Sequence, residues 1–389
     1  MKRLYLDHAA TTPTDPEVVA AMLPYFSEIF GNPSSLHTFG QEARRAMEEA
    51  RERVAAFIGA LPEEVVFTSG GTESDNYALI GGALALRDKG DHIITTVIEH
   101  HAILETCHYL EREGFRVTYL PVDEQGIVNP ETLRQAITEK TILISVMHAN
   151  NEIGAIQPLA EIGRIASERE IPLHTDAVQT FGHLPINVDD LGVTFLSASA
   201  HKLYGPKGVG ILYIKKGAKI TSFLHGGEQE RGHRASTQNV PGIVGFAKAV
   251  ELAEKSMPEE VARLTSLRDR FIKGVLEGIE HTSLNGHPVR RLPNNANICV
   301  GYIEGEALIL RLDMNGVACS SGSACSSASM DPSHVLKSIG LAPELAHGAL
   351  RFSLGRSTSL EDIDDVLEML PDIVEKLRSI SPLYKKAGS

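Results

Sequence analysis

Apolar runs short enough to be single strands recur along the chain with amphipathic stretches between them. VVFT (65–68), HIITTV (92–97), VTYLPV (117–122), ILISVMH (142–148), PLHTDA (172–177), TFLSASA (194–200) and VGILYI (209–214) are nearly continuous apolar segments. Such runs suit strands buried on both faces rather than half-exposed ones, whose residues alternate. Between several of them lie PETLRQAITEK and PLAEIGRIASERE, whose apolar residues recur at helical spacing. Strands alternating with helices predict an α/β domain with a largely parallel sheet. The pattern then changes. Helical spacing dominates from Pro258 to Glu280, followed by shorter strands around NICVGYI and LRFSLG, so a smaller α+β domain is expected to begin near residue 255. There is no internal repeat and no low-complexity linker.

At 389 residues the chain can bury a large core and divide in two. Its formal charge of −13 and pI near 5.7 speak against nucleic acid or an anionic membrane as the main partner. Protein and small-molecule partners are expected instead. The opening MKRLYLDHAATTP is broken by Asp7 before an apolar signal core could form, and no segment approaches a transmembrane span. Cys107, Cys299, Cys319 and Cys325 are too few and too scattered for a disulfide framework or a zinc finger, which makes a reducing cytoplasm the simplest compartment.

The segment SASAHKLYGPKGVG places Lys202 where an apolar strand ends and a glycine-rich turn begins. A lysine there, partly desolvated among Ser and His side chains, suits a nucleophile toward an aldehyde cofactor, although alone it would read as a surface lysine. Upstream, LHTDAVQT ends another apolar run on Asp176, which suits a partner for the pyridinium nitrogen of pyridoxal phosphate. FTSGGTESDN puts Ser69, Gly70, Gly71 and Thr72 between a strand and a helical segment. Glycines let the backbone close on a phosphate and the helix start supplies amide donors, though a plain capped turn has the same look. It is neither a Walker loop nor G-x-G-x-x-G, so a compact phosphate fits better than a nucleotide.

IEHHAIL sets His100 and His101 at a strand end, the edge where open α/β sheets bind ligands. An imidazole there can stack on an aromatic cofactor and pass protons; zinc is the rival, but no H-E-x-x-H or Cys/His ligand spacing accompanies the pair. Near the C-terminus, VACSSGSACSSASMDPSHVL is dense in small residues around Cys319 and Cys325, the composition of an exposed loop whose thiol can react.

Taken together, YLDHAATTP, GNPSSLHTFG, FTSGGTESDN, EHHAIL, MHANNEIGAIQP, HTDAVQ, SASAHKLYGPKG, HGGEQERGHRAST, SSGSACSSAS and LRFSLGR resemble, in order and over nearly the whole chain, the cysteine desulfurases of aminotransferase class V, group I (NifS/IscS type). SSGSAC is the most specific of these elements. The resemblance implies fold type I of the pyridoxal-phosphate enzymes, with a large domain over 14–255 carrying a mostly parallel seven-stranded sheet. It implies a smaller α+β domain from 1–13 and 256–389 that bears a catalytic cysteine loop at about 319–332. It implies that pyridoxal phosphate is covalent at Lys202, with Asp176 on the ring nitrogen, His100 stacked on the ring and Gln179 at the phenolic oxygen. Gly71, Thr72, Ser199 and His201 would hold the phosphate, and Thr237 would reach the phosphate of a neighbouring subunit in a homodimer. Asn151 and Arg351 would receive the carboxylate of L-cysteine. Lys202 would move the Cα proton, and Cys325 would take the sulfur as a persulfide for an iron–sulfur scaffold or other acceptors, with alanine as co-product. Cys325 would also be the ligand of a transient iron–sulfur cluster, the one metal expected.

Three features depart from the family pattern. GHRAST ends on Thr237 where Ser-Gly-Thr is usual, Cys319 stands six residues ahead of Cys325 outside the motif, and the chain ends SPLYKKAGS without a histidine-bearing motif seen in some members. A selenocysteine lyase, a class V transaminase, or a protein that chiefly delivers sulfur or holds a cluster would share much of this set. A transaminase would have no use for SSGSAC.

Overall fold

The computed structural model describes residues 3–321, 332–382 and 384. Its strands, in chain order, are β1 (Leu4–Tyr5), β2 (Val65–Thr68), β3 (His92–Thr96), β4 (Arg116–Leu120), β5 (Thr141–Ser145), β6 (Leu173–Asp176), β7 (Phe195–Ser199), β8 (Gly210–Ile214), β9 (Thr282–Asn285), β10 (Asn295–Val300), β11 (Val317–Ala318) and β12 (Ala349–Ser353).

Strands β2 to β8 form one sheet in the order β2-β8-β7-β6-β5-β3-β4. All neighbours are parallel except β8, which runs against both β2 and β7. The reversal follows from connection length. A parallel return needs a crossover helix, whereas β7 and β8 are joined only by the short turn that contains Lys202. The strands are buried end to end except in the edge strand β4, hence the apolar runs of the sequence.

A second buried cluster gathers Leu6, Leu267, Phe271, Ile298, Leu350, Phe352, Ile363 and Val374 around the three-stranded sheet β12-β10-β9. The helix Val240–Gly278 serves this cluster and the one that Ile144, Leu173, Leu196 and Ile211 form at the large sheet: Ile243, Phe246 and Val250 pack into the sheet's cluster, Leu264, Phe271 and Val275 into the second. Sequence spacing starts a helix at Pro258, but the structure runs one helix through it. Pro258 is exposed, so water can satisfy the carbonyl that its missing N–H leaves open.

The N-terminal segment ties the two clusters together over the carboxyl ends of the sheet strands. β1 pairs in parallel with β11, Leu6 enters the second cluster, and Thr12 N then donates to His201 O at 3.0 Å. Among the described residues no helix is long and apolar enough to cross a membrane.

Candidate active site

At the carboxyl edge of the large sheet lies a cavity of about 330 Å³. It brings together Gly71, Thr72, His100, Asn151, Asp176, Gln179, Ser199, His201, Lys202 and Arg351 from segments spread over most of the chain. Thr237 is not among its lining; it is exposed, next to Ser236, whose φ is +93°. Cys325 lies outside the described residues. Among the described residues no group of three or more His, Cys, Asp or Glu could hold a metal ion.

Lys202 closes a short turn after β7, and its Nζ donates to the carbonyls of Ala9 and, at 2.7 Å, Ala10. Gln179 Nε2 donates to the same Ala9 carbonyl at 3.0 Å. At Ala9 and Ala10 the N-terminal segment works through its backbone.

Asp176 ends β6 almost wholly buried. Burial pushes its carboxyl up to about 6, against the pull of the Val178 N–H, which donates to Oδ1 at 2.9 Å, and of Lys202. Asp75, also on the cavity wall, is held well above the carboxylate range by burial and by Asp176. Among the described residues its Oδ1 has no hydrogen-bond partner; it lies 3.6 Å from Nε2 of His174, which burial keeps neutral. An acidic, buried floor of this kind favours a ligand that presents a cationic N–H.

His100 caps the helix His101–Arg112, its Nδ1 accepting from Ala102 N at 3.1 Å. Burial, then Lys202 and the neighbouring imidazoles, push it down to about 4, so it is neutral with its hydrogen on Nε2. A neutral ring can lie against an aromatic cofactor.

At the opposite end the helix Gly71–Asn76 points its first turn into the cavity beside Ser199 and His201. A Cβ on Gly71 would come within 2.6 Å of Val178 Cγ2, itself a lining atom, so only glycine lets strand end and helix start close up here. Bare amides, the Thr72 and Ser199 hydroxyls and an imidazole form a cradle for a compact phosphate. Phosphate cradle, ring-nitrogen carboxylate and lysine thus stand in one cavity, and the residues fit pyridoxal phosphate.

Arg351, on β12, faces the cavity with its side chain 3% exposed. Its Nη2 donates to Asp7 Oδ1 at 2.9 Å and its Nη1 to Asn151 O at 3.0 Å. A buried, oriented guanidinium suits a small carboxylate. Sequence reasoning missed Asp75, Glu152, His334 and the Ala9 and Ala10 carbonyls, all on the same walls. Backbone acceptors leave no side-chain signature, and the three side chains sit in segments whose burial is a tertiary property.

The aminotransferase class-V family model matches residues 4–366. The chain is 58% identical over 387 residues to a cysteine desulfurase IscS of Dictyoglomus turgidum, covering 99% of this chain and 98% of that one. It is 57% identical to a cysteine desulfurase IscS of Methanosarcina thermophila, covering 99% and 95%. Among solved structures, a NifS-like protein superposes with a TM-score of 0.91 at 40% identity, covering 96% of this chain and all of that one. SspA in complex with cysteine gives 0.81 at 38%, covering 90% and 98%.

Proposed function

This chain belongs to the aminotransferase class-V family and is a pyridoxal-phosphate-dependent cysteine desulfurase; from that premise we propose how its residues divide the work. The observation that carries the reading is the single cavity holding Lys202, Asp176 and the Gly71–Thr72 helix start at one end and Arg351 at the other.

When bound, pyridoxal phosphate supplies an aldehyde for amines and a protonated ring that withdraws electrons from a substrate's Cα. Gly71, Thr72, Ser199 and His201 would hold its phosphate, Gln179 its phenolic oxygen and His100 its ring face. Asp176 would keep a proton on the ring nitrogen, a task that suits its buried carboxylate because pairing with a cation relieves its own desolvation. Arg351 and Asn151 orient L-cysteine by its carboxylate. Lys202 Nζ would carry the cofactor and, once released as a free amine by the incoming substrate amine, would take the Cα proton. Cys325 Sγ attacks the substrate sulfur, an S–S bond forming as the Cβ–S bond breaks, and protonation at carbon leaves alanine.

We further assign a homodimer in which Thr237 serves the partner's phosphate. Supporting this, Leu23, Phe26, Phe30, Leu36 and Phe39 form an exposed apolar run, Leu36 at 87% exposure, on a surface that a second copy would cover. Three of the four buried clusters each lie wholly within 14–255 or within 1–13 with 256–389, which supports that division, its boundary inside the helix Val240–Gly278; the fourth, around Ile98, Met147, Val335 and Ala349, packs the two units together. The sulfur acceptors are an iron–sulfur scaffold or other proteins, in a cytoplasm whose reducing poise keeps Cys325 a thiol.

The test is direct. Purified protein should be yellow, and borohydride should abolish the visible band and fix the cofactor mass on the peptide containing Lys202. A folded protein that binds no pyridoxal phosphate, or forms no alanine from L-cysteine, would overturn the reading.

A further inference from the structure

Four imidazoles line the cavity, those of His100, His101, His201 and His334, and among the described residues hydrogen bonds orient all of them but His101. His100 commits Nδ1 to the Ala102 N–H, and His201 Nδ1 is bonded to the Thr11 hydroxyl at 3.1 Å. His334 Nε2 is bonded to the main-chain carbonyl of Glu99 at 3.0 Å. A carbonyl only accepts, so Nε2 carries the hydrogen and Nδ1 carries the lone pair. That Nδ1 has no hydrogen-bond partner among the described residues. His334 is thus an imidazole with a fixed tautomer and an uncommitted base on a cavity wall.

The same wall holds the carboxylate anchor. Arg351 Nη1 donates to Asn151 O; the next residue, Glu152, accepts from Ser333 Oγ at 2.5 Å; and Ser333 caps the helix that begins with His334. Guanidinium and imidazole are therefore joined by a short series of contacts. Cysteine is small, so a molecule anchored on Arg351 keeps its thiol near this wall.

On the desulfurase reading above, we propose that His334 is a further catalytic residue, a proton shuttle between the sulfur and the Cβ of the substrate. Nδ1 takes the thiol proton as the acceptor thiolate attacks. The S–H bond breaks with its electron pair left on sulfur, which departs as a persulfide anion. The Cβ–S bond breaks with its pair left on the carbon fragment, and the imidazolium returns the proton to Cβ. The methylene of cysteine becomes the methyl of alanine with no outside proton consumed. Burial places the imidazole below its ordinary value, so it starts neutral. The groups around it are His101, 4.9 Å away ring to ring, His100, Glu99 and Glu152, whose carboxyls burial pushes up, and Arg351 and Lys202 across the cavity.

Reversibility supplies the test. Cofactor-loaded wild-type protein incubated with L-alanine in D2O should exchange both Cα–H and Cβ–H, followed by proton NMR. In His334→Gln and His334→Asn, Cα–H exchange, which falls to Lys202, should persist while Cβ–H exchange drops about 100-fold or more. Nitrogen-15 spectra of histidine-labelled protein, with His334 assigned by its loss in His334→Gln, should show the Nε2–H tautomer near neutral pH. Undiminished Cβ–H exchange in both variants, its absence in the wild type, or an Nδ1–H tautomer would each overturn the proposal. Failure of the wild type to make alanine from L-cysteine would instead overturn the function on which it rests.

Discussion

Asp7 and Arg351, 344 residues apart, meet at 2.9 Å beside the cavity that Arg351 lines, so the N-terminal segment holds the group assigned to the substrate carboxylate. The guanidinium is nearly buried and Asp7 largely so, at 3% and 19% side-chain exposure. Asp7→Asn removes the anion but not the cation, leaving a buried charge short of a counterion. The expected cost is about 1–3 kcal/mol of unfolding free energy in denaturant titrations. A small carboxylate ligand replaces the missing charge, so L-alanine should raise the melting temperature of Asp7→Asn more than that of the wild type. Equal stability of the two proteins would show that the pair carries no structural weight.

The cofactor-free protein should be most stable between about pH 6 and 7, because two sets of buried groups pull in opposite directions. Burial lowers His8, His100, His148 and His201 to about 4 and His174 to about 3. Between there and the ordinary value the unfolded chain binds more protons, so stability rises with pH. Burial raises Glu99 to about 8, Asp176 to about 6, and Asp75 as well. Across their window the folded chain binds more protons, so stability falls as pH rises. The histidines outnumber the acids below the maximum, and Glu99, raised to about 8, still lowers stability as pH rises above it. Melting temperature against pH should show the maximum, and Glu99→Gln should flatten its alkaline side. A monotonic rise to pH 8.5 in the wild type would contradict the assignment.

The seven central strands were legible because strands buried on both faces must be apolar throughout. The reversed β8 was less legible, since the pattern marks a strand but not its direction; only the short connection after Ser199 carries that information. Lys202, Asp176 and the Gly71–Thr72 turn stood out because each breaks an apolar run at its end, where an open sheet places its ligands. Asp75 and Glu152 did not, because a carboxylate in a polar stretch reads as solvated until tertiary packing buries it. His334 follows the serine-rich stretch after Cys325, where nothing local indicates a cavity.

Ser236 occupies the position where the sequence departs from the usual glycine, and its φ of +93° is one that glycine adopts freely. A side chain held there costs about 1–3 kcal/mol, while glycine gives back roughly 0.5–1 kcal/mol through its freer unfolded chain. Ser236→Gly should therefore raise the melting temperature by a degree or two, and Ser236→Ala should not. If both variants melt with the wild type, the strain is absent.

The two C-terminal thiols should behave differently. Cys319 follows β11, packs against the second buried cluster, and is pushed up to about 12 by burial and by Asp7, so it stays a thiol near neutral pH. Cys325, in SSGSAC, is the residue assigned to sulfur transfer. Cys325→Ser should keep the cofactor colour and still bind L-cysteine, with the spectral change that binding brings. It should yield no persulfide, because a hydroxyl near neutral pH cannot replace a thiolate nucleophile. Cys319→Ser should retain most desulfurase activity and lose at most about 1–3 kcal/mol of stability from burying a hydroxyl. Mass spectrometry of wild-type protein after brief exposure to L-cysteine should find the added sulfur on the Cys325 peptide. Added sulfur on Cys319, or a Cys319→Ser variant as inactive as Cys325→Ser, would mean that the two thiols act as a relay.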